Sequence, residues 1–243
     1  MTDTWTINFE IYRQKDGQSP KYDTFSVEMD PEEYVLDGVE KVWAFQDRSL
    51  TFQHACHHSV CGACGMRVNG VEKLTCITRI RDVTQDGGTL RVDPMANFPV
   101  VSDLVVDMSS LYDHMEQAGS RQIVTLEENP AAPGIGRDKS APDDLFRLTD
   151  CIECGLCISA CPIVATHPEY LGPAVLAAVQ LRGLGSQPAL LEWVDSADGV
   201  WRCHSAYECT SVCPSNVEPA WRIMDLRRKI VGERFRRLFG SRG

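Results

Sequence analysis

The fold of this 243-residue chain is decided by one cysteine-rich stretch, Cys151-Ile152-Glu153-Cys154-Gly155-Leu156-Cys157-Ile158-Ser159-Ala160-Cys161-Pro162. Its spacing, Cys-x2-Cys-x2-Cys-x3-Cys-Pro, is one at which thiolates hold an iron–sulfur cluster. In proteins that contain two such runs, the fourth cysteine of each run ligates the cluster of the other. A partner run is therefore expected elsewhere in the chain.

The partner run ends at Cys213-Pro214. Counting back from Cys213 with the same spacing leads to positions 209, 206 and 203, and cysteine occupies the first and the last of them. The middle position is Ala206. The second run is therefore a cluster motif from which one ligand is missing.

Exchange of the last cysteines between the two runs assigns two sites. We predict a 4Fe–4S cluster on four thiolates: Cys151, Cys154, Cys157 and Cys213. Three thiolates remain for the other site: Cys161, Cys203 and Cys209. The methyl group of Ala206 cannot bind the corner iron, so we expect a 3Fe–4S cluster there. The alternative is a 4Fe–4S cluster whose fourth iron binds water, Ser205 or Tyr207.

The remaining four cysteines lie in the first third of the chain, as Cys56-x4-Cys61-x2-Cys64 followed by Cys76. This is the plant-type 2Fe–2S spacing, in which one tight loop supplies three thiolates. Small residues between the ligands allow backbone N–H groups to approach the sulfurs. A structural zinc site is the alternative, but zinc usually takes paired ligands from two separate loops. With four cysteines present, we interpret the nearby His54, His57 and His58 as polar surface around the cluster rather than as ligands.

Composition supports metal ligation and argues against other classes. Eleven cysteines are an odd number, so they cannot all pair as disulfides, whereas the three sites use every one of them. The formal charge of −10 argues against nucleic acid as a partner. No apolar run is long enough to span a membrane, and the amino terminus does not have the pattern of a secretory signal, so we expect a cytoplasmic protein. Basic residues concentrate from Arg222 to Gly243, which is consistent either with a solvated helix face or with attraction to a partner or acidic lipid at a membrane surface.

The cysteine groups are separated by a long cysteine-free stretch that contains a Pro- and Gly-punctuated linker at 127–136. We predict a cluster-binding α+β domain at 1–106, a connecting helix and linker at 107–140, and a helical domain at 141–243. In the first domain we expect a hairpin from strands at 4–12 and 24–29, and a second hairpin that turns at Asn69-Gly70.

Helix signals are present in both halves. Asp30 and Pro31 predict the start of a helix whose buried stripe is Val35, Leu36, Val39, Val42 and Trp43. The second half predicts helices at 173–182, 189–194 and 218–238. We expect its tryptophans to lie in the core: Trp193, Trp201 and Trp221.

The combined pattern resembles the iron–sulfur subunit of the succinate dehydrogenase and fumarate reductase family over nearly the whole chain. Outside the cysteines, the resemblance depends on short motifs: Val35-Leu36-Asp37, Leu50-Thr51-Phe52, Asn69-Gly70, the segment 103–108, Gly172-Pro173-Ala174 and Cys203-His204-Ser205. It implies an α+β, plant-ferredoxin-like β-grasp domain followed by an all-α domain like that of bacterial ferredoxins.

The resemblance also implies a function. A flavoprotein subunit with FAD would interconvert succinate and fumarate, and this chain would relay single electrons between the FAD and a membrane quinone. The quinone would lie beside the 3Fe–4S site, next to a membrane-anchor subunit that can carry haem, with Pro162 and His204 near it. The chain would then be peripheral, on the cytoplasmic face of the membrane.

The sequence departs from the family at the residues after Pro162. They read Ile163-Val164-Ala165-Thr166, where many succinate dehydrogenases carry a tryptophan pair. Gln53-His54 likewise replaces an arginine-rich pair that is often found in the family before the first cluster ligand. These departures leave open the physiological direction and the quinone type. Two alternatives for the whole chain are the iron–sulfur subunit of a different flavoenzyme and a free-standing ferredoxin-like carrier.

Overall fold

The structure is a computed structural model that describes residues 4–119, 148–182 and 188–239. The predicted linker at 127–136 lies outside the described residues, as does most of the predicted connecting segment. The domain boundaries therefore stay a prediction.

The first half is a five-stranded mixed sheet with one long helix, as the α+β prediction requires. Its strands are β1 (Trp5–Arg13), β2 (Lys21–Met29), β3 (Gly65–Val68), β4 (Val71–Leu74) and β5 (Thr89–Asp93), in the order β2-β1-β5-β3-β4. β1 pairs antiparallel with β2 and parallel with β5. Alternate residues of β1 are fully buried, namely Ile7, Phe9 and Ile11, which explains the alternating sequence pattern.

Both predicted hairpins are present. β1 and β2 form the first, and β3 and β4 pair antiparallel around Asn69 and Gly70. Asn69 has φ of 51° and Gly70 has φ of 83°. Two successive positive φ values define the turn type for which Asn-Gly is the preferred sequence.

The helix α1 spans Val35–Phe45, so its start was predicted about four residues too early. The Asp30 carboxylate accepts a hydrogen bond from the Glu32 amide at 2.9 Å, and the Glu33 carboxylate accepts one from the Asp30 amide at 2.8 Å. These side chains therefore close a turn before the helix. The helix start is capped by Asp37, which accepts a bond from the Tyr34 amide at 2.9 Å.

The buried stripe of α1 is confirmed for Val35, Leu36, Val39 and Val42, but not for Trp43. The Trp43 side chain is 38% exposed, and the Arg48 guanidinium lies 4.2 Å from its ring centre. The predicted core role of Trp43 was therefore wrong, because its ring packs against a cation at the surface and not against the sheet.

The first half closes with short elements: the 3-10 helices Thr75–Ile77 and Ile80–Asp82, the strands β6 (Val100–Ser102) and β7 (Val105–Val106), and helix α2 (Ser109–Gln117). Asp103, between β6 and β7, is fully buried. It accepts hydrogen bonds from Lys15 Nζ at 2.6 Å and from the Thr51 amide at 2.9 Å. Asp103 thereby fixes the segment that leads into the first cysteine loop.

The second half is helical, as predicted. Its helices are α3 (Leu156–Ser159), α4 (Pro162–Thr166), α5 (Gly172–Ala178), α6 (Pro188–Val194), α7 (Glu208–Ser211) and α8 (Pro219–Phe239), with 3-10 helices at Val179–Arg182 and Val200–Arg202. Helix α5 packs on α8, and both contribute fully buried side chains to the core, including Val175, Leu176, Ile223 and Leu226.

Two of the three tryptophans predicted to lie in the core are partly exposed. Trp201 is 38% and Trp221 is 43% exposed, whereas Trp193 is partly buried against the core. Arginine guanidinium groups of α8 lie over the two exposed rings, at 5.7 Å from Trp201 and at 5.0 Å from Trp221. The indole rings therefore pair with surface cations along α8 rather than filling the interior.

The two halves share a hydrophobic core. Leu74, Met95 and Phe98 of the first half belong to the same buried cluster as Leu156 and Ile158 of the second. Asn97 strengthens this contact with its side-chain amide, which donates to three backbone carbonyls, at 2.9 Å to Ile158, 2.9 Å to Ser159 and 3.0 Å to Cys161. The cysteine loops of both halves are therefore held against each other.

Candidate metal centres

The first group of cysteines lies on the loop between α1 and β3. Backbone N–H groups of His58, Cys61 and Val60 donate to the Cys56 sulfur at 3.4–3.5 Å. These bonds lower the pKa of Cys56 to about 6, since they favour the thiolate. The loop is therefore arranged around an anionic sulfur.

The fourth cysteine of this group reaches the loop through the β3–β4 hairpin. Gly65 is paired with Leu74, which places Cys64 beside Thr75 and Cys76. Thr75 donates to the Cys64 carbonyl through its amide at 3.2 Å and its hydroxyl at 2.9 Å. Burial and hydrogen bonding to the Cys64 thiol raise the pKa of Cys76 to about 12. The thiols of Cys56 and Cys61 are also hydrogen-bonded, so the four predicted ligands lie together.

The second group gathers the first three cysteines of the 151–161 run with Cys213. A pocket is lined by all four: Cys151, Cys154, Cys157 and Cys213. The rest of its wall is largely small or apolar, including Gly155, Ala174, Ala177 and Val217. Burial raises the pKa of Cys157 well above that of a free thiol and that of Cys154 to about 11. Thiols crowded in an apolar pocket need a cation to become thiolates, which iron supplies.

The third group joins the last cysteine of the first run to the second run. One pocket is lined by Cys161, Cys203, Cys209 and Ala206. Burial and the charges of Cys161 and Cys203 raise the pKa of Cys209 to about 12. The Tyr170 hydroxyl is hydrogen-bonded to Cys203, and its pKa is raised by burial. Pro162 and His204 lie on the exposed rim of this pocket.

The two cysteine runs of the second half have the same backbone shape. In the first, Glu153 and Gly155 have positive φ of 52° and 78°, two and four residues after Cys151. In the second, Ser205 and Tyr207 have positive φ of 59° and 66°, two and four residues after Cys203. Each loop then enters a four-residue helix.

Because of this equivalence, Ala206 occupies the position that Cys154 occupies in the first run. The equivalence extends to the sulfurs, since the Glu153 amide bonds to Cys151 and the Ser205 amide donates to the Cys203 sulfur at 3.4 Å. The loop therefore has the same conformation as the four-cysteine loop, with a methyl group at the position of Cys154.

The three groups follow one another through the molecule. Gly62 of the first loop is so close to Cys154 that a Cβ added at Gly62 would lie 2.6 Å from the Cys154 Cβ. Cys157 of the second group lies near enough to Cys209 of the third for its pKa to respond to the charge on Cys209. The order of the groups is thus first, second and third, with neighbours in contact.

Sequence reasoning did not find several residues that position these groups. Asn97 holds the 158–161 backbone, and the Ser159 hydroxyl donates to Glu72 at 2.9 Å across the two halves. Tyr170 contacts Cys203 from a helix junction. No spacing marks these residues, because each acts across more than 30 positions of the chain.

The predicted role of the three loop histidines as polar surface stays a prediction, but two of them share a partner. His54 and His57 both lie within 3.3 Å of Glu40 on α1, whereas no contact of the His58 ring is seen among the described residues. Glu40 was not identified from the sequence, since it lies 14 positions before His54.

Fold and cysteine placement together define a protein of the ferredoxin class with separate cluster-binding halves. Two family descriptions match: the 2Fe–2S iron–sulfur cluster binding domain over residues 8–113, and the 4Fe–4S dicluster domain over residues 147–217.

Relatives that match most of the chain are iron–sulfur subunits of fumarate reductase or succinate dehydrogenase. The fumarate reductase iron–sulfur subunit of Mycobacterium tuberculosis is 37% identical over 227 residues, which cover 90% of this chain and 90% of that protein. The succinate dehydrogenase iron–sulfur subunit of Paracoccus denitrificans is 32% identical over 235 residues, covering 92% of this chain and 87% of that protein. The chain belongs to the family of iron–sulfur subunits of fumarate reductase and succinate dehydrogenase.

A solved structure supports the fold. A chain of the Mycobacterium smegmatis Sdh1 complex in the apo form superimposes with a TM-score of 0.78 at 24% identity, over 96% of this chain and 98% of that one. The prediction of a β-grasp domain followed by a helical ferredoxin-like domain is confirmed. Within the described residues, no helix combines the length and apolarity needed to cross a bilayer.

Proposed function

We propose that this chain carries electrons one at a time between the FAD of a flavoprotein subunit and a membrane quinone, in an enzyme that interconverts succinate and fumarate. The observation that supports this most directly is the division of all eleven cysteines into three adjoining groups, the third with Ala206 in the place of a ligand. Family membership supports the flavoprotein partner, because both named relatives are subunits of succinate dehydrogenase or fumarate reductase.

Each group would hold the cluster predicted from its spacing. The proposed ligand sets are a 2Fe–2S cluster on Cys56, Cys61, Cys64 and Cys76, a 4Fe–4S cluster on Cys151, Cys154, Cys157 and Cys213, and a 3Fe–4S cluster on Cys161, Cys203 and Cys209. A flavin takes up or releases two electrons, whereas an iron–sulfur cluster carries one at a time. The clusters would therefore pass the two electrons of the flavin to the quinone in single steps.

The chain's own residues tune these sites in different ways. At the first site, three backbone donors stabilise negative charge on the Cys56 sulfur, and Cys61 is exposed. At the second, the four cysteines line a largely apolar pocket. Hydrogen bonding to sulfur and solvent exposure both set the potential of a cluster. The chain thus has separate means of setting each step of the relay.

The rim of the third site is the proposed quinone side. Pro162 and His204 are exposed there, beside a pocket that contains the three cysteines. His204 can donate to a quinone oxygen from its imidazole. We place this rim against a membrane-anchor subunit on the cytoplasmic face of the membrane.

The basic residues of α8 contribute less to a membrane surface than their number suggests. Arg222 is buried and donates to the Val217 carbonyl at 3.2 Å, and Arg227 donates to the Val200 carbonyl at 2.8 Å. Arg234 bonds to Asp195 at 2.7 Å. The anchor contact proposed here therefore depends on the rim of the third site rather than on the charge of this helix.

Low-temperature EPR with an iron count tests the ligand sets in the native assembly. We expect a 3Fe–4S signal in the oxidised state, a 2Fe–2S signal after dithionite, and about nine iron atoms on this chain from the three sites. Co-purification of a flavin-bearing subunit tests the partner. An oxidised sample without a 3Fe–4S signal and with about ten iron atoms would refute the three-thiolate site.

The variant Ala206→Cys restores the missing ligand. We expect the iron count to rise by about one and the oxidised 3Fe–4S signal to disappear, because a fourth thiolate can hold the corner iron. Ala206→Val is the matched control, since it adds bulk without a ligand and should leave the three-iron signal in place. An unchanged signal in Ala206→Cys would contradict the equivalence of Ala206 and Cys154.

A further inference from the structure

We propose that Glu40, His54 and His57 form a binding site for a divalent transition-metal ion of the zinc type, separate from the cysteine groups. Glu40 lies on the outer face of α1, and the two histidines lie on the segment that enters the first cysteine loop. This site depends on no cysteine and is independent of the relay proposed above.

The donor atoms of the three side chains form a nearly equilateral triangle. His54 Nδ1 lies 3.0 Å from His57 Nε2 and 3.1 Å from Glu40 Oε1, and His57 Nε2 lies 3.3 Å from the same oxygen. Zinc bonds to imidazole nitrogen and carboxylate oxygen are about 2.0–2.2 Å long, so tetrahedral ligands are separated by about 3.3–3.5 Å. One ion can therefore reach all three atoms with little movement.

Glu40 supplies a second and independent observation. Its Oε1 atom is buried and has no hydrogen-bond partner, although both imidazole nitrogens are close to it. An unpartnered buried carboxylate oxygen is costly, and such a group calls for an explanation, of which an ion is one. Both nitrogens lie at ion-pair distance from Oε1 without a hydrogen bond to it, while His54 Nδ1 and His57 Nε2 share a hydrogen bond that a bound ion would replace.

The site is held by the structure around it. The His54 ring stacks on Phe52 at 5.2 Å with an interplanar angle of 18°, and Phe52 packs edge-on against Trp43. His57 follows Cys56, whose sulfur is fixed by three backbone donors of the same loop. Glu40 is fixed by α1, whose opposite face is buried against the sheet. The three side chains therefore lose little conformational freedom when an ion binds.

The ligand chemistry selects the class of ion. Two imidazoles and one carboxylate suit zinc and its neighbours among the transition metals, whereas calcium and magnesium prefer oxygen ligands alone. His54 and His57 are both exposed, so the remaining coordination positions are open to water or to a side chain of a partner. Two histidines and one glutamate with an open position are a known zinc ligand set.

Zinc binding to the cluster-loaded chain tests the proposal. The protein is dialysed against zinc chloride, and zinc and iron are counted on the same sample, so that zinc replacing iron at the cysteines is recognised. We expect one zinc per chain with no loss of iron, and an X-ray absorption spectrum with a nitrogen and oxygen shell of imidazole type. A sulfur shell, or the loss of iron in step with zinc uptake, would overturn the proposal.

Variants at the three residues separate the site from adventitious surface binding. We expect Glu40→Gln, His54→Gln and His57→Gln each to weaken zinc binding at least tenfold, since even the loss of an outer-shell partner costs that much. His58→Gln is the matched control, because it removes a histidine from the same loop outside the triangle. Equal affinity in the wild type, His54→Gln and His57→Gln, or equal weakening in His58→Gln, would refute the assignment.

Discussion

Replacing Gly62 with alanine tests the contact on which the proposed order of the three sites depends. Gly62 has φ of 74°, in the left-handed region, and lies buried where the first cysteine loop meets the 151–161 run. A Cβ at this position would lie 2.6 Å from the Cys154 Cβ and 2.9 Å from the Cys154 Cα. Carbon atoms in favourable contact are separated by about 3.5–4.0 Å, so one loop must move by about 1 Å.

Two costs add in this variant. A left-handed conformation costs alanine about 1–2 kcal/mol more than glycine. Forcing extra volume into a packed contact costs about 1–3 kcal/mol. Neither Cys154 atom can rotate away, since both belong to the backbone or are joined directly to it. We therefore expect a loss of about 2–5 kcal/mol in stability, which lowers the melting temperature by roughly 4–20 °C for a chain of this size.

Gly17→Ala separates the two costs. Gly17 has φ of 70°, but nothing lies within 4 Å of an added Cβ. This control has the conformational cost without the clash, so its melting temperature should fall by only about 2–8 °C, and less than that of Gly62→Ala.

The assay has two parts, both on the cluster-loaded protein under anaerobic conditions. Thermal unfolding by far-UV circular dichroism measures the loss of stability. EPR of the fully reduced protein measures the magnetic interaction between the first two sites, which weakens as their distance grows. We expect weaker interaction in Gly62→Ala and no change in Gly17→Ala. Equal melting temperatures in the two variants, with unchanged magnetic interaction, would show that Gly62 does not set the distance between the sites.

Three further changes test other contacts. Asn97→Ala removes three bonds to backbone carbonyls and should cost about 1–3 kcal/mol by thermal unfolding, whereas Asn8→Ala, which loses one long 3.5 Å bond at the surface, should be close to neutral. Asp103→Asn should cost about 1–3 kcal/mol at pH 7, because it removes a fully buried carboxylate that pairs with Arg13 and Lys15, although Arg13 keeps its contacts with Asp23 and Asp47. Burial opposes the ionised form of Asp103, but bonds from Lys15 and from backbone amides outweigh it and lower its pKa, so this contribution is present above the unfolded pKa of about 3.9 and is lost as the pH falls through the folded value. The gap between wild type and Asp103→Asn in acid unfolding should therefore narrow below about pH 4, and a constant gap would contradict the argument. Tyr170→Phe removes the hydroxyl bonded to Cys203 and should shift the EPR signal of the third site alone, with unaltered signals of the other two as the internal control.

Local features of the fold could be predicted because their causes are local. The Asn69-Gly70 turn follows from two residues that accept positive φ, and the buried side of β1 follows from alternation along nine residues. Predictions failed where a contact with another side chain or with the backbone decided the local structure. The start of α1 was misplaced because Asp30 and Glu33 use their carboxylates in a turn, and Trp43 was placed in the core although Arg48 covers it at the surface.

The cysteine sites were likewise predictable where their causes are local and unpredictable where they depend on distant contacts. Cysteine spacing predicts which sulfurs of one loop come together, because a loop of seven to nine residues has few ways to gather three thiolates. It does not reveal Asn97, which acts on residues 61 to 64 positions away, or the contact of Gly62 with Cys154. These contacts depend on how the two halves dock, and docking is decided by buried apolar surfaces that carry no motif.

The backbone of the loop around Ala206 supports the proposal that the third site binds a cluster with one cysteine fewer than the second. Ser205 and Tyr207 both hold positive φ, which costs non-glycine residues of order 1–3 kcal/mol each and persists only where the surroundings impose it. A loop that no longer bound a metal would be free to relax to ordinary φ values. Instead it matches the four-cysteine loop at both positions and keeps the amide bond to its first sulfur, at 3.4 Å in Ser205. The backbone around Ala206 therefore has the shape of the four-cysteine loop, which supports the proposal that this site holds a cluster on three thiolates.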